Sequence, residues 1–325
     1  MTRHSPFAAA AAAALLAAGC GRTDAPGPPP AAAGKAPADT AASAPAGALA
    51  LVPASARLDQ VNTLPRDPRS SPLPEDEYTA AQVRRGYDIV RDPRQHAARF
   101  AGNDLSCANC HMNGGQRDRA LPYVGIAGTF PQYRARDGRL ISLEDRIGDC
   151  FERSLDGTRP PYDSPEMMAV AAYITWLSQG QPVGEDPAWR GKNRIARENQ
   201  LPIERLDRAR GEQLYVQWCA SCHGMEGRGV DLGVAKPGPL WGPGSWNDGA
   251  GAARVYTLAG YIRHAMPLTN PGSLSDEEAQ HVAAYINSHE RPSFARKRED
   301  FPNGDVPVDA VYYPQRYARN PLSPR

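Results

Sequence analysis

The chain has 325 residues, with 37 Lys and Arg against 36 Asp and Glu, a formal net charge of +1 and no long basic run, so nucleic-acid binding has no support. Beyond an Ala/Pro-rich N-terminal stretch, its length suffices for two small domains, and its negative mean hydropathy and 7% aromatic content suit domains in which a prosthetic group supplies part of the core.

The N-terminus, "MTRHSPFAAAAAAALLAAGC", has Arg3, an apolar run from Phe7 and then small residues, the form of an export signal over 1–19. The run is too short to span a membrane in the mature protein. "LLAAGC" resembles a bacterial lipoprotein signal, which makes Cys20 an acylated lipid anchor; Ala17, where Leu is usual, keeps ordinary cleavage near Gly19 as the alternative. Residues 20–55 are Ala, Pro and Gly with almost no aromatic side chain, a composition that cannot offset the entropy of ordering and reads as a disordered tether. The expected plan then runs through a first domain over 56–180, a linker over 181–205, a second domain over 206–290 and a C-terminal extension over 291–325.

Four of the six cysteines sit in "CANCH" (Cys107, Cys110, His111) and "CASCH" (Cys219, Cys222, His223). This is the pattern that attaches haem c: two thiols three residues apart each form a thioether to one vinyl group, and the adjacent histidine reaches the iron. A zinc ribbon or a thioredoxin-type site does not call for a histidine after both motifs. Two covalently bound haem c groups are therefore predicted, which requires assembly outside the cytoplasm and agrees with the export signal.

His111 and His223 are 112 residues apart, and "VAAYI" recurs at Val170 and Val282 with the same offset, so the two halves are duplicates in plan. Each reads as a helix carrying an Arg-Gly pair (Arg85-Gly86, Arg210-Gly211), then CxxCH, a Gly/Pro-rich loop, a middle helix and a last amphipathic helix. The last helices open at Ser164-Pro165 and at the capping box Ser275 to Glu278. Upstream of the first CxxCH, thirteen extra residues separate Gly86 from Cys107 relative to the second half.

"HAMPLTNPG" offers Met266 as distal ligand of the second haem, ahead of His264 and of Lys236 in the "VAKPG" loop. The 112 offset carries Met266 onto Ser154, and Cys150 lies four residues earlier. If "SLEDRIGDCFERSLDG" is one helix capped by Ser142 and stopped near Gly157, Arg146, Cys150, Arg153 and Ser154 share one stripe. A thiolate between two guanidiniums suits a distal ligand beside an oxyanion. The competing reading of Cys150 is a buried structural thiol. Met167 and Met168 read as packing residues, His96, His281 and His289 as solvent-facing or packed, and Arg134, Arg136 and Arg139, among five arginines and five acids from 134 to 153, as a solvated loop.

From about Thr79 to His289, and most specifically through "CANCHMNGG" and "LEDR…CFERS", the chain resembles the thiosulfate dehydrogenase family of dihaem c-type cytochromes. The resemblance implies a mainly α fold of two tandem class I cytochrome c-like domains. It implies that Cys150 ligates the catalytic haem opposite His111, that His223 and Met266 ligate an electron-exit haem, and that Arg136, Arg146, Arg153 and Ser154 lie near substrate. The implied reaction couples two thiosulfates into tetrathionate, some members running the reverse. A small periplasmic cytochrome c is the expected acceptor. Arg263, His264 and Ala265 precede Met266, so no lysine stands beside it as an alternative ligand. Two other readings remain: a dihaem electron carrier without a substrate, and a SoxA-like subunit of a sulfur-oxidising complex.

Overall fold

In the computed structural model residues 49–233 and 235–324 are described, and all of them belong to one compact unit. The export signal, Cys20 and most of the tether lie outside these residues. The helical segments, in chain order, are α1 Glu77–Arg91, α2 Pro93–His96, α3 Met112–Gly115, α4 Leu143–Asp149, α5 Pro165–Leu177, α6 Arg208–Trp218, α7 Ala220–His223, α8 Val255–Ala265 and α9 Asp276–Ile286. A two-stranded antiparallel hairpin, β1 Gln132–Arg134 and β2 Arg139–Ile141, is the only sheet among the described residues.

The helices begin where the sequence places caps. Asp76 accepts from Thr79 N–H at 2.7 Å, Ser164 from Met167 N–H at 3.2 Å, and Ser275 and Glu278 form a reciprocal box. The duplication is a packing fact. At Gly86, on α1, a Cβ would stand 2.0 Å from the Ala169 carbonyl oxygen and 2.8 Å from Tyr173 Cβ; at Gly211, on α6, the same atom would meet His281 O at 2.0 Å and Tyr285 Cβ at 2.9 Å. Each "VAAYI" helix thus crosses the helix bearing the Arg-Gly pair at a point where only glycine lets the backbones touch.

The thirteen-residue insertion holds α2 and Asn103, whose buried side-chain amide donates to Ser154 O at 2.9 Å and to Ser245 O at 3.0 Å. It ties the end of the Cys150 turn to the second half.

The arginines expected on a solvated loop sit instead on the hairpin and its turn, each opposite an acid. Arg139 is bidentate to Asp145 at 2.9 and 3.0 Å, and Arg134 pairs with Asp149. Arg136 is buried and lies over the rings of Phe301 and Tyr313. The interleaved acids and the C-terminal extension are the cause. That extension packs on the body: Phe301 N–H donates to Arg136 O at 2.7 Å, Asp309 binds Arg254 at 2.7 Å, and Tyr312 O–H donates to Asn287 O at 2.7 Å.

Candidate haem and substrate site

Helix α4 starts at the Ser142–Asp145 capping box and runs only to Asp149. Cys150–Ser154 then forms a π turn, closed by a 2.9 Å bond from Leu155 N–H to Cys150 O. The wider turn breaks the expected four-residue stripe, and π turns of this kind recur at functional sites. Upstream the α register holds, and Arg146 Nη1 donates to Cys150 Sγ at 3.3 Å. This contact raises the pKa of Arg146, Cys150 being the largest cause.

Downstream the register is lost. Arg153 turns away from the thiol and forms a two-pronged pair with Asp300, Nη1 to Oδ2 at 2.7 Å and Nη2 to Oδ1 at 2.8 Å, beneath the ring of Phe294. Arg136 lies 3.7 Å from the same carboxylate and donates to Gly249 O, and burial pushes its pKa down to about 10. The picture of Arg146 and Arg153 as a fork around one thiol is therefore corrected. Arg146 alone meets the sulfur, while Arg153 and Arg136 share Asp300 behind it. Ser154 remains close, lining a small cavity of about 50 Å³ with Cys107, Cys110, His111 and Cys150.

A larger cavity of about 530 Å³ is also bounded by Cys107, His111 and Cys150. His111 Nδ1 lies 2.5 Å from Leu121 O, and burial pushes the imidazole pKa down to about 4, so the ring is neutral with Nε2 free. Leu121 delivers that carbonyl from φ +52, a left-handed conformation held at some cost for a non-glycine residue. Tyr123 stacks on the imidazole at 4.3 Å between centroids. Paired free thiols, a neutral imidazole fixed through one nitrogen and an apolar wall of Ile126, Phe130, Leu143, Ile147 and Ile174 fit a covalent haem c.

In the second half Cys219 and Cys222 are free thiols, and burial pushes the Cys219 thiol up to about 12. Burial lowers the pKa of His223, with the Gly238 backbone carbonyl opposing it. Met266 follows the last residue of α8 and packs with Met112, Ala120, Ala265 and Tyr261. His264 is engaged at both ring nitrogens, Nδ1 with Arg119 Nη1 at 3.0 Å and Nε2 with Arg194 O at 3.3 Å. Lys236 is exposed. Among the other rejected candidates, Met167 is fully buried, Met168 is half exposed, and His289 stacks on Trp241.

Sequence reasoning missed one wall of the large cavity. Arg190, Asn193 and Arg194 come from the linker, and Arg254, Tyr256 and Thr257 from the start of the second half's middle helix. The linker has no periodic pattern to mark it; its density of Arg was the available signal. With Arg146, four guanidiniums line this cavity and no carboxylate does.

Residues 96–183 match the SoxA/TsdA cytochrome c domain, and residues 207–286 match subunit III of cbb3-type cytochrome c oxidase. Fold and motifs together define a dihaem c-type cytochrome of two cytochrome c domains, carrying two covalently bound haem c groups. Thiosulfate dehydrogenase from Allochromatium vinosum is 43% identical over 245 residues, 73% of this chain and 86% of that relative. The Stutzerimonas stutzeri thiosulfate dehydrogenase is 39% identical over 231 residues, 70% and 73% respectively. The solved thiosulfate dehydrogenase TsdBA from Marichromatium purpuratum, in its as-isolated form, aligns with a TM-score of 0.63 at 39% identity over 69% of this chain, which spans 49% of that longer one. The chain belongs to the thiosulfate dehydrogenase family.

Proposed function

We propose that the chain oxidises two thiosulfates to tetrathionate in the cavity shared by His111 and Cys150, and that the electrons leave through the second haem, held by His223 and Met266. The observation that carries this reading is the cavity wall: His111 and Cys150, both candidate ligands of one iron, face one cavity with Arg146, which donates to the Cys150 sulfur. Two thiosulfate dianions repel each other at close range, and cations in a water-poor cavity offset that repulsion far better than solvent does. Bound haem supplies a one-electron acceptor in each half, matching the two electrons released.

Arg146 has two tasks, steadying the Cys150 sulfur at 3.3 Å and presenting charge to the cavity. Ser154, beside Cys150 in the smaller cavity, is within the same reaction space. Arg153 and Arg136 act at one remove, fixing the π turn and the hairpin through Asp300. Met266 as distal ligand is supported by the engagement of both ring nitrogens of His264. Thiosulfate added to the oxidised, haem-loaded protein should reduce both haems and yield one tetrathionate per two electrons, and tetrathionate added to the reduced protein tests the reverse. The ferric protein should show the weak near-infrared band of His/Met ligation and lose it in Met266→Ala. No reduction by thiosulfate would refute the enzyme reading.

The place of action is proposed from the leader: a periplasmic protein, acylated on Cys20 and handing electrons to a small cytochrome c. Mass spectrometry of the N-terminal peptide from membranes should find the acyl groups; an unmodified soluble terminus would rule out the anchor.

A further inference from the structure

We propose that Arg194 of the interdomain linker, between Arg190 and Arg254 at the N-cap of α8, pairs with a propionate carboxylate of the first haem, so that this haem is wedged by its acidic edge against the second domain. The inference rests on the reading that His111 and Cys150 bracket the first haem, and goes beyond it by assigning residues from outside the first domain to that group.

The cavity lining draws Ile126, Phe130, Leu143, Ile147, Val170 and Ile174 from the first domain, and Arg190, Asn193, Arg194, Arg254 and Thr257 from the linker and the start of α8. Haem c has the same division: an apolar ring with two carboxylates at one edge. Carboxylates removed from bulk water are costly unless they meet cations and hydrogen-bond donors, and guanidinium suits them better than ammonium does. Among the described residues the side chains of Asn193, Arg194 and Thr257 have no partner within the protein, although all three line the cavity. Arg190 and Arg254 already share their charge with Asp186 at 2.6 Å and Asp309 at 2.7 Å. Arg194 has no such acid, so of these three its cation is the one left for a ligand.

The linker is also held firmly enough to present that cation. Gly260 of α8 lets the linker backbone lie directly on the helix, since a Cβ there would stand 2.3 Å from Asn193 O. Arg194 N–H donates to Gly191 O at 3.1 Å, Arg194 O contacts His264 Nε2 at 3.3 Å, and the next residue, Ile195, is buried. Trp189 Nε1–H fastens the preceding turn to Val124 O of the first half at 2.8 Å.

A fixed cation beside a haem favours the ferrous state, which carries one positive charge less than the ferric state, so its loss lowers the midpoint potential. Spectroelectrochemical titration of the full, haem-loaded chain is the test. Arg194→Gln should shift the redox equilibrium of the first haem about tenfold toward ferric, about 59 mV for one electron, and leave the second haem unchanged. Arg194→Lys should recover most of the shift. An unchanged first-haem potential in Arg194→Gln overturns the assignment. So does a raised thiosulfate KM with no change of potential, because Arg194 would then serve the free substrate anion. Failure of the underlying reading has a separate signature: a wild-type spectrum without thiolate ligation would show that Cys150 does not face the first iron, whatever the variants do.

Discussion

Replacing Cys150 with alanine is expected to lower thiosulfate-driven haem reduction at least a thousandfold, equivalent to about 4 kcal/mol of lost transition-state stabilisation, while a small chemical reductant still reduces the second haem at the wild-type rate. The sulfur is the one thiol outside the two attachment motifs among the described residues, lines both cavities that reach His111, and receives a hydrogen bond from Arg146. Its removal takes away the proposed distal ligand and the sulfur that Arg146 holds in the cavity. Arg146→Gln separates the two contributions. It keeps the sulfur and removes the charge, so the thiolate-ligated spectrum should persist while turnover falls about 10- to 100-fold, the range for a group that orients a metal ligand. Near-wild-type activity in Cys150→Ala would make Cys150 a structural thiol and require another site for the chemistry.

The parts of this molecule that depend on local pattern are legible in the sequence. The 112-residue offset identified the duplication, and its physical basis is the pair of glycines, Gly86 and Gly211, on which the two "VAAYI" helices rest. Arg146 was legible as the partner of Cys150 because the segment between them is ordinary α-helix with a capping box at Ser142. Arg153 was not. Its position relative to Cys150 depends on whether the next turn closes i to i+4 or i to i+5, a choice that the sequence does not encode locally.

The same distinction explains the missed wall. Arg190 and Arg194 lie in a connector without periodicity, and they reach the first cavity only because Gly260 and His264, far along the chain, fix the path of the linker. Asp300 was equally invisible. It belongs to a C-terminal extension whose docking rests on pairings across about 150 residues of sequence.

That docking leads to the largest expected effect on stability. Arg153 and Asp300 are buried to 7% and 5% side-chain exposure, joined by two short bonds, with Arg136 at 3.7 Å and the Tyr313 hydroxyl donating to the same carboxylate. Asp300→Asn preserves shape but leaves two buried guanidiniums with Asp149, 3.8 Å from Arg153 Nε, as the nearest remaining acid. Breaking a buried pair from one side costs about 3–5 kcal/mol, because the surviving charge is stranded rather than because the pair itself is worth so much. Urea unfolding of the haem-loaded protein should therefore show a large fall in midpoint for Asp300→Asn. Adding Arg153→Met to that variant removes one stranded charge while keeping most of the volume, and should recover part of the loss. A wild-type midpoint in Asp300→Asn would show that the C-terminal extension is held by its apolar contacts, Phe301 and Tyr313 among them, and that the arginines behind the Cys150 turn find water or other acids when Asp300 is gone.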